Sequence, residues 1–381
     1  MKIVGYETFL VAPRWQFLRI DTDEGISGWG EPIVEGRAEA VQGAITALME
    51  YLVGTDPLRI EDHWQTLAKG GFYRGGPVLS SALAGIDQAL WDIKGRYHEA
   101  PVHELLGGPV RDRVRMYTWV GGADPAKLVD DALAKIASGF TAIKLNIAET
   151  LPPVPSAAQV RAMVHRVETL RTAVGDEIDI ALDFHGRFSS AATRRILPLL
   201  EPLLPLFVEE PVLPDFARDL RRITEATSIP IATGERLYSR WDFRDVLSTG
   251  IAVAQPDLSH AGGISEVRRI AAMAEAYDVV IAPHCPLGPI ALAASLQIDL
   301  ATPNFLIQEQ SLGIEYGGGS ALLDYVTDPQ VFAFVDGHID RLAGPGLGID
   351  INEDAVRTAA TKGHTWRSPL QRHPDNSFAE W

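Results

Sequence analysis

The stretch IDIALDFH, at Ile178–His185, is a short apolar run that ends with an acidic and an imidazole side chain. Helical spacing precedes it over residues 157–174. Apolar runs that alternate with helices are typical of parallel strands buried on both faces. Eight such units over roughly 200 residues predict a closed barrel rather than an open doubly wound sheet. The other seven runs are Val114–Trp119, Ala142–Asn146, Leu206–Glu210, Pro230–Glu235, Ala252–Asp257, Val279–His284 and Phe305–Glu309.

The first hundred residues have a different pattern. β-rich segments at Ile3–Val11 and Trp15–Asp21 come first, and stretches with helical spacing follow at 36–53, 58–68 and 77–98. Strands followed by helices predict a separate α+β domain. No G-x-G-x-x-G motif follows an early strand, so nothing in this region favours a dinucleotide-binding fold.

Composition restricts the classes of partner. Lys and Arg number 34 and Asp and Glu number 50, so the 381-residue chain has a formal net charge of −16. A polyanion repels nucleic acid and anionic membranes, so we expect neither as a partner.

The lone cysteine, Cys285, allows no intrachain disulfide and fits a reducing compartment. The N-terminal segment lacks the features of a signal peptide. We therefore expect a cytoplasmic protein.

Each apolar run ends in a side chain that can do chemistry. From Asp183 to Glu309 these residues recur at intervals of 22 to 27, about the length of one strand–helix unit. Catalytic groups of such barrels lie at the carboxyl ends of the strands, so we expect these residues to converge in one mouth. They are Lys144, Asp183, His185, Glu209, Glu235, Asp257, His284 and Glu309.

Three carboxylates on adjacent strands indicate a metal site. Asp183, Glu209 and Glu235 would repel one another in a low-dielectric mouth unless a cation joined them. Ligands that are all oxygen favour a hard ion, and Mg²⁺ fits best because it takes few protein oxygens. A glycosidase would need a second acid across the site, and the seventh run ends in His284 instead.

The remaining residues of the mouth have several possible roles. A carboxylate such as Asp257 can hold the His284 imidazole in one tautomer and raise its basicity. His185 lies two residues after Asp183, so it should face the same side of its strand. Lys144 is in the same relation to Asn146, and a lysine there would neutralise carboxylates or contact an anionic substrate. Glu309 would bind substrate oxygens or hold the lysine. In the first domain, Arg14, Trp15 and Tyr73 are candidates for capping the mouth and contacting substrate.

Together these residues resemble the enolase superfamily, in its mandelate racemase branch. The resemblance covers nearly the whole chain. The sequences DFHG and PHCPLGPIALAA are narrower signals and are similar to those of sugar-acid dehydratases. The motifs are GWGEP at 28–32, GIDQALWDIKG at 85–95, LDFHGR at 182–187, FVEEP at 207–211, QPDLSHAGGI at 255–264 and APHCPLGPIALAA at 282–294.

The resemblance implies a fold and a domain organisation. The fold is a modified TIM barrel, (β/α)₇β, with an α+β capping domain built from both chain ends. Residues 1–112 would form the capping domain, residues 113–325 the catalytic barrel, and residues 326–381 a C-terminal segment that completes the cap. We also expect the chain to form a homo-oligomer.

The resemblance also implies roles for the site residues. His284 with Asp257 would be the general base, and His185 the general acid. Lys144 matches the first lysine of a K-x-K motif, but Asn146 replaces the second lysine, which is a base in racemases of this branch. The metal ligands would be Asp183, Glu209 and Glu235, and the cofactor Mg²⁺.

Loss of the second lysine disfavours racemisation and favours elimination of water. The expected activity is that of a hydro-lyase that removes the C2 proton and the C3 hydroxyl of an aldonic acid. The sequence leaves open which aldonic acid, of the galactonate, gluconate or fuconate type, is the substrate. A barrel that binds sugar acids without catalysis is the other alternative.

Overall fold

The N-terminal part of the chain forms an α+β unit, as expected. The computed structural model describes residues 1–122, 124–311 and 322–380. Three antiparallel strands form one sheet, in the order β1 (Ile3–Val11), β2 (Trp15–Thr22) and β3 (Ser27–Gly30). The helices that follow are α1 (Ala38–Met49), α2 (Ile60–Lys69), α3 (Pro77–Tyr97) and α4 (Val102–Leu105).

Helix α3 joins this unit to the rest of the molecule. Pro77 begins it, where a missing N–H has no cost, and most of its length is buried. Strand β3 lies against it so closely that a Cβ on Gly30 would collide with the Gly85 carbonyl. On its other side, Gln88 Nε2 donates to the Leu258 carbonyl at 2.9 Å and Trp91 Nε1 donates to Ser265 Oγ at 2.9 Å. The helix therefore fixes the cap relative to the strand ends beyond residue 250.

The strands between residues 113 and 309 are parallel and follow one another in chain order. They coincide with the eight predicted apolar runs. Their bounds are β4 (Arg113–Trp119), β5 (Ala142–Asn146), β6 (Asp179–Asp183), β7 (Phe207–Glu209), β8 (Ile231–Thr233), β9 (Val253–Ala254), β10 (Val280–Ile281) and β11 (Gln308–Glu309).

Hydrogen bonds of residues 304–309 link the two ends of this strand path. Ile281 N donates to the Asn304 carbonyl and Leu306 N donates to the Ile281 carbonyl, both at 2.8 Å. Three residues later, β11 pairs in parallel with β4, with Glu309 opposite Tyr117. One short segment therefore contacts both the last and the first strand of the path.

A separate cluster of buried side chains lies inside this arrangement, one from each strand or its immediate flank. Small and large members together occupy the interior, as expected for side chains that fill a small barrel. The cluster agrees with the predicted barrel. Its members are Tyr117, Ala142, Ala181, Phe207, Ala232, Val253, Ala282 and Ile307.

Helices connect the barrel strands, and local sequence explains where they begin. The Asp124 side chain accepts from Lys127 N at the start of α5, and Ser156 with Gln159 forms a capping box at the start of α6. The helices are α5 (Pro125–Ala137), α6 (Ala157–Val174), α7 (Ser190–Leu200), α8 (Leu220–Thr224), α9 (Arg240–Leu247), α10 (Gly263–Glu275) and α11 (Pro289–Ala301). No helix in the described part of the chain is long and apolar enough to span a membrane.

The C-terminal segment contacts both parts of the molecule. A hairpin of β12 (Phe334–Val335) and β13 (His338–Asp340) pairs antiparallel with β4. Helix α12 (Glu353–Ala360) packs on β1, where Arg357 Nη2 lies 2.7 Å from Glu7 Oε2. The predicted division at residues 112 and 325 stays a prediction.

Asp299 on α11 is a buried acid outside the barrel mouth. Both carboxylate oxygens are inaccessible, with no hydrogen-bond partner among the described residues. Burial raises the pKa of this carboxyl well above 3.8, against a lowering by Arg111. At pH values above 3.8 the native state keeps a proton on Asp299 that the unfolded chain has released. The free energy of unfolding therefore falls as the pH rises above 3.8.

Replacement of Asp299 with asparagine should consequently stabilise the protein. We expect a gain of about 1–3 kcal/mol in the free energy of unfolding at pH 8, and a smaller gain at pH 5. Urea unfolding at the two pH values measures it, with the exposed Asp215→Asn as a matched control. A gain that does not depend on pH would contradict the explanation.

Candidate active site

The polar ends of the strands meet at one end of the barrel. The parallel register pairs Asn146 with Asp183, and Asp183 with Glu209. An isolated bridge pairs Asp257 with His284 farther round the barrel. Neighbouring strand ends thus place these side chains at the same level, as the intervals in the sequence predicted.

Lys144 is the buried centre of this group. Its Nζ lies 2.8 Å from each oxygen of Glu209 and 3.0 Å from Glu309 Oε1. The ammonium also lies 4.5 Å from the centre of the Trp119 ring, a cation–π distance. Burial lowers the pKa of Lys144, but the two glutamates outweigh it and raise the pKa well above 10.5. The lysine is therefore charged and holds two carboxylates together.

Glu309 is fully buried and hydrogen-bonded through both oxygens. Trp119 Nε1 donates to Oε1 at 2.5 Å, and the Cys285 backbone N–H donates to Oε2 at 3.0 Å. Burial raises the pKa of Glu309, but the lowering by Lys144 and His284 is larger, so the pKa is below its ordinary value. Glu309 therefore fixes Lys144 and the loop that follows His284, which matches one of its two predicted roles.

His284 and Asp257 form a dyad. The His284 Nδ1 lies 2.8 Å from Asp257 Oδ2, so it donates to the carboxylate and leaves Nε2 toward the cavity. The other oxygen of Asp257 accepts from Ser259 N at 2.6 Å. Burial lowers the pKa of His284, but Glu235, at 3.5 Å, and Glu309 raise it to about 10. With its pKa raised in this way the imidazole is protonated near neutral pH, and it could accept a proton there only if the negative charge around it were reduced.

His185 has the opposite environment. Its Nδ1 lies 3.0 Å from Arg187 Nη2, and because a guanidinium only donates, the ring proton must be on Nε2. Burial lowers the pKa of His185 to about 4, against a raising by Glu235. The surroundings therefore shift the pKa values of the two histidines in opposite directions.

The residues present fit a hard cation. Asp183 Oδ2 is buried without a hydrogen-bond partner among the described residues, and ligand atoms of Asp183, His185 and Glu235 lie within 4.8 Å of one another. Glu209 instead directs both oxygens to Lys144. Two of the three predicted carboxylate ligands, Asp183 and Glu235, thus lie close together, and one oxygen of Asp183 is available to a cation. The third, Glu209, lies on the strand next to that of Asp183.

A cavity of about 590 Å³ opens onto these groups. Of the residues predicted from sequence, Arg14, Asn146, His185, Glu235 and His284 line it. Lys144, Asp183, Glu209, Asp257 and Glu309 are buried beside it, at most 1% exposed.

The structure does not bring Trp15 and Tyr73 to this cavity. Trp15 is buried in the cap, where its ring packs against Phe17 and Tyr325. Tyr73 is 88% exposed and lines a second cavity with Trp241. The sequence placed both in the capping domain but did not show which way their side chains face.

Several residues that line the cavity or lie beside it were not among the predicted site residues. Arg187 and Arg236 follow predicted site residues by two positions and one position, and that proximity was the only signal. Glu35 and His260 lie 3.4 Å apart. Trp366, from the C-terminal segment, lies 5.1 Å below the Arg14 guanidinium. These last contacts are long-range and leave no local pattern.

The barrel and its mouth define a class of protein. A histidine base held by a carboxylate, next to a cation site built from oxygens, is the arrangement of enzymes that remove a proton adjacent to a substrate carboxylate. A charged lysine beside that site suits an anionic substrate.

Comparison with known proteins gives the family. Residues 10–107 match the mandelate racemase/muconate lactonizing enzyme N-terminal domain, and residues 127–355 match the enolase C-terminal domain-like family. The chain is 54% identical to a D-galactonate dehydratase of Ralstonia nicotianae and 53% identical to one of Variovorax paradoxus, each over 100% of both chains.

A solved structure extends the comparison to three dimensions. An enolase from Agrobacterium radiobacter, a candidate galactarate dehydratase with Na and L-malate bound, has a TM-score of 0.92 and 34% identity, over 100% of both chains. The chain belongs to the enolase superfamily, in its mandelate racemase/muconate lactonizing enzyme branch. Members of this superfamily bind a divalent metal ion. The resemblance predicted from sequence is confirmed.

Proposed function

We propose that the protein is a Mg²⁺-dependent sugar-acid dehydratase that converts D-galactonate to 2-dehydro-3-deoxy-D-galactonate and water. The observation that carries the proposal is a pair of histidines on one cavity, His284 held by Asp257 and His185 on the turn after Asp183, with Asn146 where a second base would be. The full-length D-galactonate dehydratase relatives support the predicted hydro-lyase activity.

His284 is the proposed general base. Its Nε2 faces the cavity and takes the C2 proton of the aldonate. Asp257 holds the ring through Nδ1 and stabilises the imidazolium that forms. The electron pair from the C2–H bond first moves toward the substrate carboxylate, giving an enediolate, and then forms the C2–C3 double bond as the C3 hydroxyl departs.

His185 is the proposed general acid. Its Nε2 delivers a proton to the departing C3 hydroxyl, which leaves as water, and the enol product then tautomerises to the 2-keto acid. In the free site this ring is neutral, because burial lowers its pKa to about 4. An anionic substrate in the cavity raises the pKa of the imidazole, so Nδ1 can take up a proton once Arg187 turns away from it, and Nε2 gives its own proton to the leaving hydroxyl.

Asp183, Glu209 and Glu235 are the proposed ligands of Mg²⁺. When bound there, the ion would stabilise the negative charge that develops on the substrate carboxylate as the C2 proton leaves. Lys144, held between two glutamates, contributes positive charge to the same end of the cavity.

Other residues are proposed to bind the substrate chain. Asn146 and Arg14 line the cavity and offer an amide and a guanidinium to substrate oxygens. An acidic protein can bind an acidic substrate because the charge next to the cavity is set locally by such groups. A homo-oligomer and a cytoplasmic location remain part of the proposal.

An aldonate panel tests the proposed function. Keto-acid formation with Mg²⁺ should be fastest for D-galactonate, with kcat/KM at least tenfold above D-gluconate and L-fuconate, since a polar site rejects a misplaced hydroxyl. If another aldonate is preferred, the proposed substrate is wrong and the proposed reaction stands. Binding by calorimetry without any turnover would favour the non-catalytic alternative.

A further inference from the structure

Two neighbouring strand ends have an unusual backbone. His185 has a φ of 54° and Glu210 a φ of 44°, a left-handed conformation that non-glycine residues rarely adopt. Such backbone conformations are strained and persist only where the surroundings hold them. Phe184 N donates to the Glu209 carbonyl at 3.0 Å and Gly186 N donates to the Glu210 carbonyl at 2.8 Å. The two turns are thus coupled.

The Glu210 side chain binds the next strand end. It is 1% exposed, and its Oε2 accepts from Arg236 Nε at 2.9 Å and Nη2 at 2.5 Å. Its Oε1 accepts from Thr233 Oγ1. A buried carboxylate with a two-bond guanidinium partner has a fixed geometry, because both side chains lose their freedom to rotate.

Arg236 in turn lies against the turn that carries His185. A Cβ on Gly186 would collide with Arg236 Nη2 and would lie 3.0 Å from Leu213 Cδ2. The guanidinium therefore occupies the space beside Gly186, and Arg236 also lines the cavity. If the Arg236 guanidinium moves, the His185–Gly186 turn loses the group that it packs against.

We infer that Glu210 and Arg236 are positioning residues that hold the His185 turn in place for protonation of the leaving hydroxyl. The inference rests on the proposed dehydratase function. Neither residue transfers a proton. Their effect reaches the reaction through His185. Among the described residues neither hydrogen-bonds to His284 or Asp257, and Arg236 Nε approaches the neighbouring Glu235 Oε1 only at 3.8 Å.

Replacement of Glu210 with glutamine tests the inference. The change preserves size and removes the charge that holds Arg236. Dehydration should fall roughly tenfold to a hundredfold, the usual cost of a misplaced group. Exchange of the C2 proton in D₂O depends on the His284–Asp257 dyad and the proposed metal site but not on the acid His185, so it should stay within about threefold of the parent. Glu266→Gln is the matched control, since Glu266 is a buried glutamate that accepts from Arg240 Nε and Nη2 outside the cavity. It should change neither rate.

Other outcomes overturn the inference. If exchange and dehydration fall in parallel, or neither falls, Glu210 does not act through His185. If E210Q does not fold, Arg236→Lys must give the same split, since lysine keeps the charge and loses the two-bond geometry. A crystal structure of either variant in which the His185–Gly186 turn is unchanged also overturns it, whatever the activity. A parent that dehydrates no aldonate refutes the proposed function instead.

Discussion

Replacement of Glu209 with glutamine should reduce dehydration about a thousandfold or more. Glu209 is buried, faces Lys144 with both oxygens and lies beside Asp183 in the strand register. Its loss removes a proposed metal ligand and one of the two anions that balance the lysine. Several kcal/mol of transition-state stabilisation depend on that charge arrangement, and each 1.36 kcal/mol is tenfold in rate.

Mg²⁺ binding provides a second measurement for this variant. Calorimetry should show that affinity for Mg²⁺ falls in E209Q and is unchanged in E266Q, whose glutamate lies outside the cavity. Parent activity should disappear on chelation and return with added Mg²⁺. Activity that survives chelation, or normal Mg²⁺ affinity in E209Q, would refute the proposed metal site.

Replacement of His185 with asparagine should separate two steps of the reaction. Dehydration should fall about 10²–10⁴-fold, the usual contribution of a general acid. Exchange of the C2 proton with D₂O should persist, because the His284–Asp257 dyad is intact. Asparagine is chosen because it tolerates the left-handed backbone at this position better than most residues.

The control for this variant is a histidine elsewhere. His103 is 1% exposed and its Nδ1 lies 2.8 Å from Gln297 Oε1, away from the cavity. His103→Asn should lower stability without changing the ratio of exchange to dehydration. Loss of exchange together with dehydration in H185N would show that His185 is not a dedicated acid.

Much of the barrel could be predicted because its signals are local. A buried parallel strand needs a short apolar run, and the helix after it needs its own spacing and cap, as at Ser156. One strand–helix unit has a nearly constant length. Asp183 and Glu209 therefore came out on adjacent strand ends, and the structure places them in register.

The arrangement within the mouth could not be predicted in the same way. That Glu209 turns to Lys144, and that Glu309 accepts from Trp119 and from Cys285 N, depends on which neighbours compete for each oxygen. Those neighbours are up to 190 residues apart. Trp15 and Tyr73 show the same limit in the cap, where one ring is buried and the other exposed.

The segment 304–309 connects folding to activity. It hydrogen-bonds to β10 and pairs with β4, and it also carries Glu309, which holds Lys144. If residues 304–309 separated transiently from β10 and β4, Lys144 would therefore lose its contact with Glu309 before the rest of the barrel unfolds. Amide hydrogen exchange at residues 306–309 should then report the same opening that inactivates the enzyme on mild heating, at temperatures below global melting.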